Sequence, residues 1–411
     1  VNTSVRPETG PLGDARPERR AARTALRFVL LLGVVSLFAD MTYEGARSVL
    51  GPFLGVLGAS AVVVGTVSGL GELVGYALRL PSGIVADRTH RYWTVATVGY
   101  AINLLSVPLL AFAGNWRVAA LLIVLERAGR ATRKPASDAM LSYAGSQMGS
   151  GWAFGLREAM DQTGAVLGPL AVAWAIARHA GYRHAFGMLI VPAVLALCTL
   201  VIAQRLFPAP HTLEVKRPTL PHLRGVSRAF GIYVVAGACL AAGTVDFPLV
   251  AYHFAKGATV ATWEIPTLFA LAMASAAISA PLVGRIYDRK GLVVVAGASL
   301  LPAAAAPLLF LGGASAAVVG VLLWGVGMGV QEATVRAAVA DMTPSDRRAG
   351  AYGLFDAVFG VAWFLGSALM GLLYGYAPLA LVVFSVAAQV VAVGLLGVAA
   401  QRAATTRSRV P

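Results

Sequence analysis

Charge is scarce in this 411-residue sequence: Asp, Glu, Lys and Arg make up 13% of it, against 58% hydrophobic residues and a mean hydropathy of +0.73. Soluble chains carry about a quarter charged residues, so the shortage excludes an ordinary water-facing surface. Cysteine is nearly absent. Cys198 and Cys239 both stand inside apolar runs, which excludes a disulfide framework or thiolate metal cluster and leaves small buried hydrophobes as their expected role. Histidine is sparse too, and His90, His179, His184, His211, His222 and His253 fall in joints or near the ends of apolar runs. No His-Glu-x-x-His, Gly-x-Ser-x-Gly or Gly-x-x-x-x-Gly-Lys-Ser/Thr pattern occurs, so zinc proteolysis, serine hydrolysis and a phosphate-loop ATPase are not expected. No enzyme activity, cofactor or resident metal is anticipated.

Acidic residues are the rarer sign: 19 Asp and Glu face 33 Lys and Arg, a net charge of +14. In a soluble chain that excess would suggest nucleic acid. Here arginine gathers in the tails and in the joints between apolar runs, the pattern that orients membrane segments with their basic side inward. Nucleic acid is therefore not an expected partner; the lipid bilayer is.

What is present in quantity is long, continuous apolar sequence. Hydrocarbon cannot satisfy free backbone groups, so spanning segments are helices or closed barrels, and unbroken apolar runs exclude the alternating pattern of a barrel. On a ruler of about 20 residues per span, helices are expected near 25–50, 60–84, 93–113, 117–136, 152–177 and 184–206, then near 229–253, 263–285, 292–312, 317–340, 351–374 and 378–400. The reading is an all-α membrane protein of twelve transmembrane helices. Residues 1–24 read as a disordered cytoplasmic tail, 25–207 as one six-helix bundle, 208–228 as a cytoplasmic linker, 229–400 as a second bundle and 401–411 as a cytoplasmic tail. The first apolar run is too long for a signal-peptide core and is taken as a retained span. The basic joints put both termini in the cytoplasm and the protein in the inner or plasma membrane.

The halves repeat each other. Gly83-Ile-Val-Ala-Asp87-Arg88 recurs as Gly284-Arg-Ile-Tyr-Asp288-Arg289, Glu126-Arg-Ala-Gly-Arg130 as Glu332-Ala-Thr-Val-Arg336, and Ala153-Phe-Gly-Leu156 as Ala351-Tyr-Gly-Leu354, in the same order. A duplicated six-helix unit points to two bundles that rock about a central site.

With these motifs in place, the sequence resembles the major facilitator superfamily over nearly all of residues 25–400. The stretch Gly83-Ile-Val-Ala-Asp87-Arg88-Thr89-His90-Arg91 is similar to the family's loop between the second and third helices, departing from it at His90 and Tyr92. The resemblance implies a cytoplasmic latch made by Gly83, Asp87, Arg88 and Arg91, with Asp288 and Arg289 as its counterpart. Asp87 would meet the start of the eleventh helix, where the helix dipole favours an anion, and Arg88 or Arg91 would pair with Asp138. In the fifth span, Gly164-Ala-Val-Leu-Gly168-Pro169 resembles part of a motif of proton-driven exporters, lacking its closing Gly-Gly. Ordinary close helix packing, with a bend at Pro169, explains the same residues.

Charges inside spans are costly and usually line an aqueous crevice. Asp40, Glu44 and Arg47 share one face of the first span, and an acid at the depth of Asp40 is suited to carry a coupling proton, so Asp40 and Glu44 are the proton-coupling candidates. A static Glu44–Arg47 pair is the alternative. The cavity candidates are Tyr43, Arg47, Glu72, Tyr76, Arg79, Glu126, Arg130, Arg157, Asp161, Asp246, Glu332, Arg336, Asp356 and Trp363, while Arg133 and Lys134 are expected to reach the headgroups. Asp246 follows Asp40 by the interval that separates Glu332 from Glu126. Among the aromatics Tyr43, Tyr76, Trp263, Phe355, Phe359 and Trp363, the mid-span Trp363 is the strongest cavity candidate; the interfacial role of Tyr and Trp suits the others as well.

The expected function is secondary transport by alternating access, with protons as coupling ion and a small molecule as cargo. Export of an amphiphilic or drug-like compound stands first, on the exporter-like stretch. Uptake or exchange of an organic anion is the runner-up, because Arg47, Arg79, Arg130 and Arg336 are suited to hold a carboxylate bidentately. Metal-ion export is a third alternative, and a non-transporting membrane sensor is the alternative from another class.

Overall fold

The computed structural model describes residues 15–179, 181–210, 228–291, 296–297, 299–343 and 348–407. Every regular element among them is helical. The first half comprises α1 (Ala15–Arg47), α2 (Leu50–Val56), α3 (Ala61–Ala77), α4 (Arg79–Thr89), α5 (Tyr92–Leu109), α6 (Trp116–Met148), α7 (Ser150–Ala177), α8 (Gly181–Met188) and α9 (Ile190–Leu206). The second comprises α10 (Arg228–Gly243), α11 (Phe247–Gly257), α12 (Glu264–Lys290), α13 (Leu300–Leu311), α14 (Ala314–Met342), α15 (Arg348–Tyr376) and α16 (Pro378–Arg407).

Nine helical stretches among the described residues are long and apolar enough to cross a membrane. Helices α6 and α7 have the length but are more polar, and α13 is apolar but short. Large apolar side chains on the outer surface, such as Leu121, Ile278 and Leu365, are exposed as a lipid solvent would require. Cys198 belongs to this outward surface and not to the interior expected for it, because it lies on the outer side of α9; Cys239 is half-buried.

Three departures from the expected spans matter for the site. The backbone of α1 is helical from Ala15, inside the segment read as a tail, while residues 1–14 and most of the linker lie outside the described residues. The spans expected at 25–50 and 229–253 are each broken: α1 stops at Arg47 before α2 begins at Leu50, and α10 stops at Gly243 before α11 begins at Phe247. Pro248 in the first turn of α11 has no N–H to continue a helix from upstream, which fits a break there. Helix α6 runs on to Met148, well beyond the expected 117–136.

The helices pack mainly within their own half: α1 lies along α7 and α9, α5 along α6, α10 along α16 and α12 along α14. The halves meet chiefly where α3 lies against α15, α7 against α12, and the short α2 against α11. Small residues permit the first of these contacts. A Cβ at Gly69 would stand 2.9 Å from the Ser367 Cβ and 3.0 Å from the Phe364 Cα, and one at Gly371 would stand 2.6 Å from the carbonyl oxygen of Ala61. At the α2–α11 contact, Gly51 lies against the Pro248 carbonyl, and an added Cβ would be 2.9 Å from the Tyr252 backbone nitrogen. Backbone on both sides leaves nothing to rotate away, so the α2–α11 end is sealed by glycine.

Candidate functional site: a buried ion-pair network

The interior charges form a chain of ion pairs, and it crosses between the halves. Arg47 ends α1, and its Nη2 donates to the Oδ1 of Asp246, the residue that precedes the first turn of α11, at 3.0 Å. Glu44 and Glu72 approach the same guanidinium at 3.7 and 3.8 Å. Arg127 extends the chain, reaching Glu72 at 3.2 Å and Glu126 at 3.5 Å. Asn103 completes it by donating to the Glu126 carboxylate at 2.7 Å and to the Glu126 carbonyl at 3.2 Å. The helix breaks explain why the central pair forms where it does. A cation at the C-terminal end of α1 and an anion at the N-terminal end of α11 both sit in the favourable field of their helix. Asp246 and Arg47 are both buried, with 2% and 5% of their surface exposed, so the pair works in a medium of low polarity.

A second group lies deeper towards the end where α1 begins. Arg133 is buried and pairs with Asp40 at 3.5 Å, its guanidinium 4.4 Å from the ring centre of Tyr100. This corrects the expectation that Arg133 reaches the headgroups: Gly99 on α5 lets the Arg133 backbone approach, and the side chain turns inward. Arg157 pairs with Asp138, lies 3.8 Å from Asp161 and donates from Nε to the Ser36 hydroxyl at 3.0 Å. Asp138 is therefore held by α7 and not by the loop arginines. Arg88 and Arg91 are exposed, and Asp87 is exposed as well, accepting from the Tyr92 hydroxyl at 3.2 Å. Gly83 packs α4 against Pro135, Arg289 is exposed, and the side chain of Asp288 lies outside the described residues.

Two guanidiniums stand apart from these pairs. Arg130 lies 4.0 Å from the ring centre of Tyr43, and Arg79 lies 4.6 Å from that of Tyr76. Across the α3–α15 contact, Tyr76 meets Phe359 edge-on at 5.4 Å, and Phe359 sits between Phe355 at 5.4 Å and Trp363 at 5.6 Å. Trp263 stands apart from this ladder, exposed at the start of α12. Asp356 is half-buried on α15, and the side chains of Glu332 and Arg336 lie outside the described residues. Gly164 and Gly168 press against the backbone of Leu37 and Met41 on α1, one turn apart, with Pro169 following. Sequence reasoning left Arg127, Arg133 and Asn103 out of the candidate set. Arg127 neighbours Glu126 in a span already rich in charge, and that signal was available; nothing in the sequence singled out Asn103.

Apolar helices long enough to cross a membrane and a buried charge network among the described residues suit a membrane protein, and comparison with known sequences decides of which kind. Residues 30–367 match the sequence profile of the Major Facilitator Superfamily. The chain belongs to that superfamily. It is an integral membrane transporter and not an enzyme. An uncharacterized protein of Mycobacterium tuberculosis (strain ATCC 25618 / H37Rv) is 40% identical over 397 residues, covering 94% of this transporter and 97% of the relative. An uncharacterized MFS-type transporter of Methanocaldococcus jannaschii is 23% identical over 370 residues, covering 85% and 89%. Among solved structures, a point mutant of the nucleoside transporter NupG superposes with a TM-score of 0.73 at 14% identity, over 90% of this transporter and 99% of that chain, a likeness of fold.

Proposed function

We propose that this transporter is a proton-coupled secondary carrier in which the Arg47–Asp246 pair gates one membrane face. The supporting observation is that Arg47 is shared by three carboxylates, Glu44, Glu72 and Asp246, of which the last belongs to the opposite half. Three buried carboxylates share one guanidinium within 4 Å, so none of them holds it alone, and Arg127, the next in the chain, already serves Glu72 and Glu126. A proton is the natural further counterion for carboxylates shared in this way. Protonating Asp246 weakens its hold on Arg47, frees Arg47 for Glu44 and Glu72, and loosens the α2–α11 end; deprotonation draws the halves together again. Glu44 and Asp246 each keep one carboxylate oxygen buried without a hydrogen-bond partner among the described residues, a place where an added proton or water would bind. Asp40, held by Arg133, serves in this reading as the second acid on the route.

In the same reading α6, α7 and α13 complete a set of twelve spans in two six-helix bundles. The basic joints support cytoplasmic termini and an outer position for the sealed α2–α11 end. Export keeps only the support of the exporter-like stretch, and its two glycines stand where helix packing alone already demands them. Reconstitution into proteoliposomes under an imposed pH gradient tests the proposal. Gradient-driven solute movement that Asp246→Asn and Glu44→Gln uncouple supports it. Flux with undiminished gradient dependence in both variants, or binding without flux as a sensor would give, overturns it.

A further inference from the structure

We infer that the cargo is an organic anion with a planar apolar body, held by Arg79 and Arg130 on one side and by the α15 aromatic ladder on the other. The inference rests on the transport reading only in taking the space between the halves as the cargo site. Four interior arginines, Arg47, Arg127, Arg133 and Arg157, each have a carboxylate within 4 Å. Arg79 and Arg130 have none that close among the described residues; both act electrostatically on Glu72 from farther away, and Arg130 also on Asp40, Glu44 and Glu126. Each lies over a tyrosine ring, a cation–π contact that leaves N–H donors for a further partner.

Unsatisfied donors stand on residues of both halves, apart from the free acceptor oxygens of Glu44 and Asp246. Arg79 Nε, Arg127 Nη1 and Trp363 Nε1 are buried without a hydrogen-bond partner among the described residues. None of these atoms can accept, so a ligand that satisfies them brings acceptor oxygens, as a carboxylate or phosphate does. The rest of the ligand meets Tyr76, Phe359 and Trp363, whose edges suit a flat apolar group, while Phe355 backs them, stacked between Tyr233 and Phe359. Tyr76 on α3 and Phe359 on α15 come from opposite halves, so such a ligand contacts both and its affinity depends on how they meet.

The test is isothermal titration calorimetry of the purified full-length transporter in nanodiscs, at fixed pH and with no gradient, so that loss of proton coupling does not affect the result. The probes are matched sets sharing one ring system: indole-3-acetate, tryptamine and tryptophol for the anion, cation and neutral forms, with a series of aryl carboxylates and aryl phosphates of increasing size. Binding is expected for members of the anionic series and not for the amine. Arg79→Gln and Arg130→Gln are each expected to weaken it by about tenfold or more, the loss that follows removal of a charge-assisted pair. Arg130→Lys keeps the charge and should fall between the wild type and Arg130→Gln, which separates anion binding from a folding defect. Preference for the amine, no binding across the anionic series, or unchanged affinity in folded Gln variants overturns the inference. Carboxylate binding without aryl phosphate binding, or the reverse, supports the inference and identifies which anion the site takes.

Discussion

Replacing Asp246 by Asn tests the gate at its narrowest point. The substitution keeps the shape of the side chain and an acceptor oxygen 3.0 Å from Arg47 Nη2, but removes the charge. Arg47 stays charged, so its bond to the amide oxygen remains charge-assisted; the variant loses the attraction between the two charges, a coupling of about 1–2 kcal/mol in the sealed state. Arg47 is not stranded, because Glu44 at 3.7 Å and Glu72 at 3.8 Å still balance it, and the larger penalty for an orphaned buried charge does not apply. One to two kcal/mol changes the ratio of sealed to open α2–α11 ends by roughly 5- to 30-fold. Pulsed electron paramagnetic resonance can read that ratio from spin labels at Val56 and Ala255, exposed positions on α2 and α11, in a background with Cys198 and Cys239 replaced. A longer-distance population should grow in Asp246→Asn and grow further in Asp246→Ala, which removes the acceptor. Identical distance distributions in the wild type and both variants would refute the reasoning.

Three further outcomes follow from the packing. Gly51→Val should break the glycine seal against Pro248 and Tyr252 and, with Cys198 and Cys239 replaced, increase labelling of a cysteine at the buried Leu50 by a membrane-impermeant maleimide, while labelling at the level of the Gly51 protein would contradict that seal. Gly69→Leu should lower the thermal midpoint through overpacking of about 1–3 kcal/mol against Phe364 and Ser367, whereas the outward-facing Ile278→Leu should leave it unchanged. Asn103→Leu removes the donor to Glu126 Oε1 at 2.7 Å and leaves that oxygen unpaired, with Arg127 still 3.5 Å from Oε2, at a cost of about 1–3 kcal/mol; Glu126→Gln in the same background should restore part of the loss.

The fold was legible because lipid leaves the backbone few choices, and continuous apolar runs such as 184–206 and 378–400 correspond to α8–α9 and α16. What sequence could not provide was direction of approach. Asp40 and Arg133 are far apart in the chain and in different spans, and their pairing depends on Gly99 admitting α6 to the surface of α5. The same reasoning assigned Arg133 to the headgroups because a residue count measures depth but not which way a side chain faces. Asp138 is similar: the basic loop beside it in the second–third helix joint suggested Arg88 or Arg91, yet Arg157 on the adjacent α7 is the nearer cation. The breaks at Arg47–Leu50 and Gly243–Phe247 were hidden inside apolar runs, and only Pro248 hinted at one of them. Charges that make α6 and α7 less apolar than their neighbours are the ones that build the network, so the weakest spans by hydropathy carry much of the site.

Coupling of the gate to protonation is the claim on which the mechanism depends, and the distance between labels at Val56 and Ala255 as a function of pH measures it without knowledge of the cargo. Acidification is expected to enlarge the open α2–α11 population in the wild type and to leave Asp246→Asn, which has no proton left to gain there, open at every pH. A wild-type distribution that does not change with pH, or a variant that follows pH as the wild type does, would contradict it.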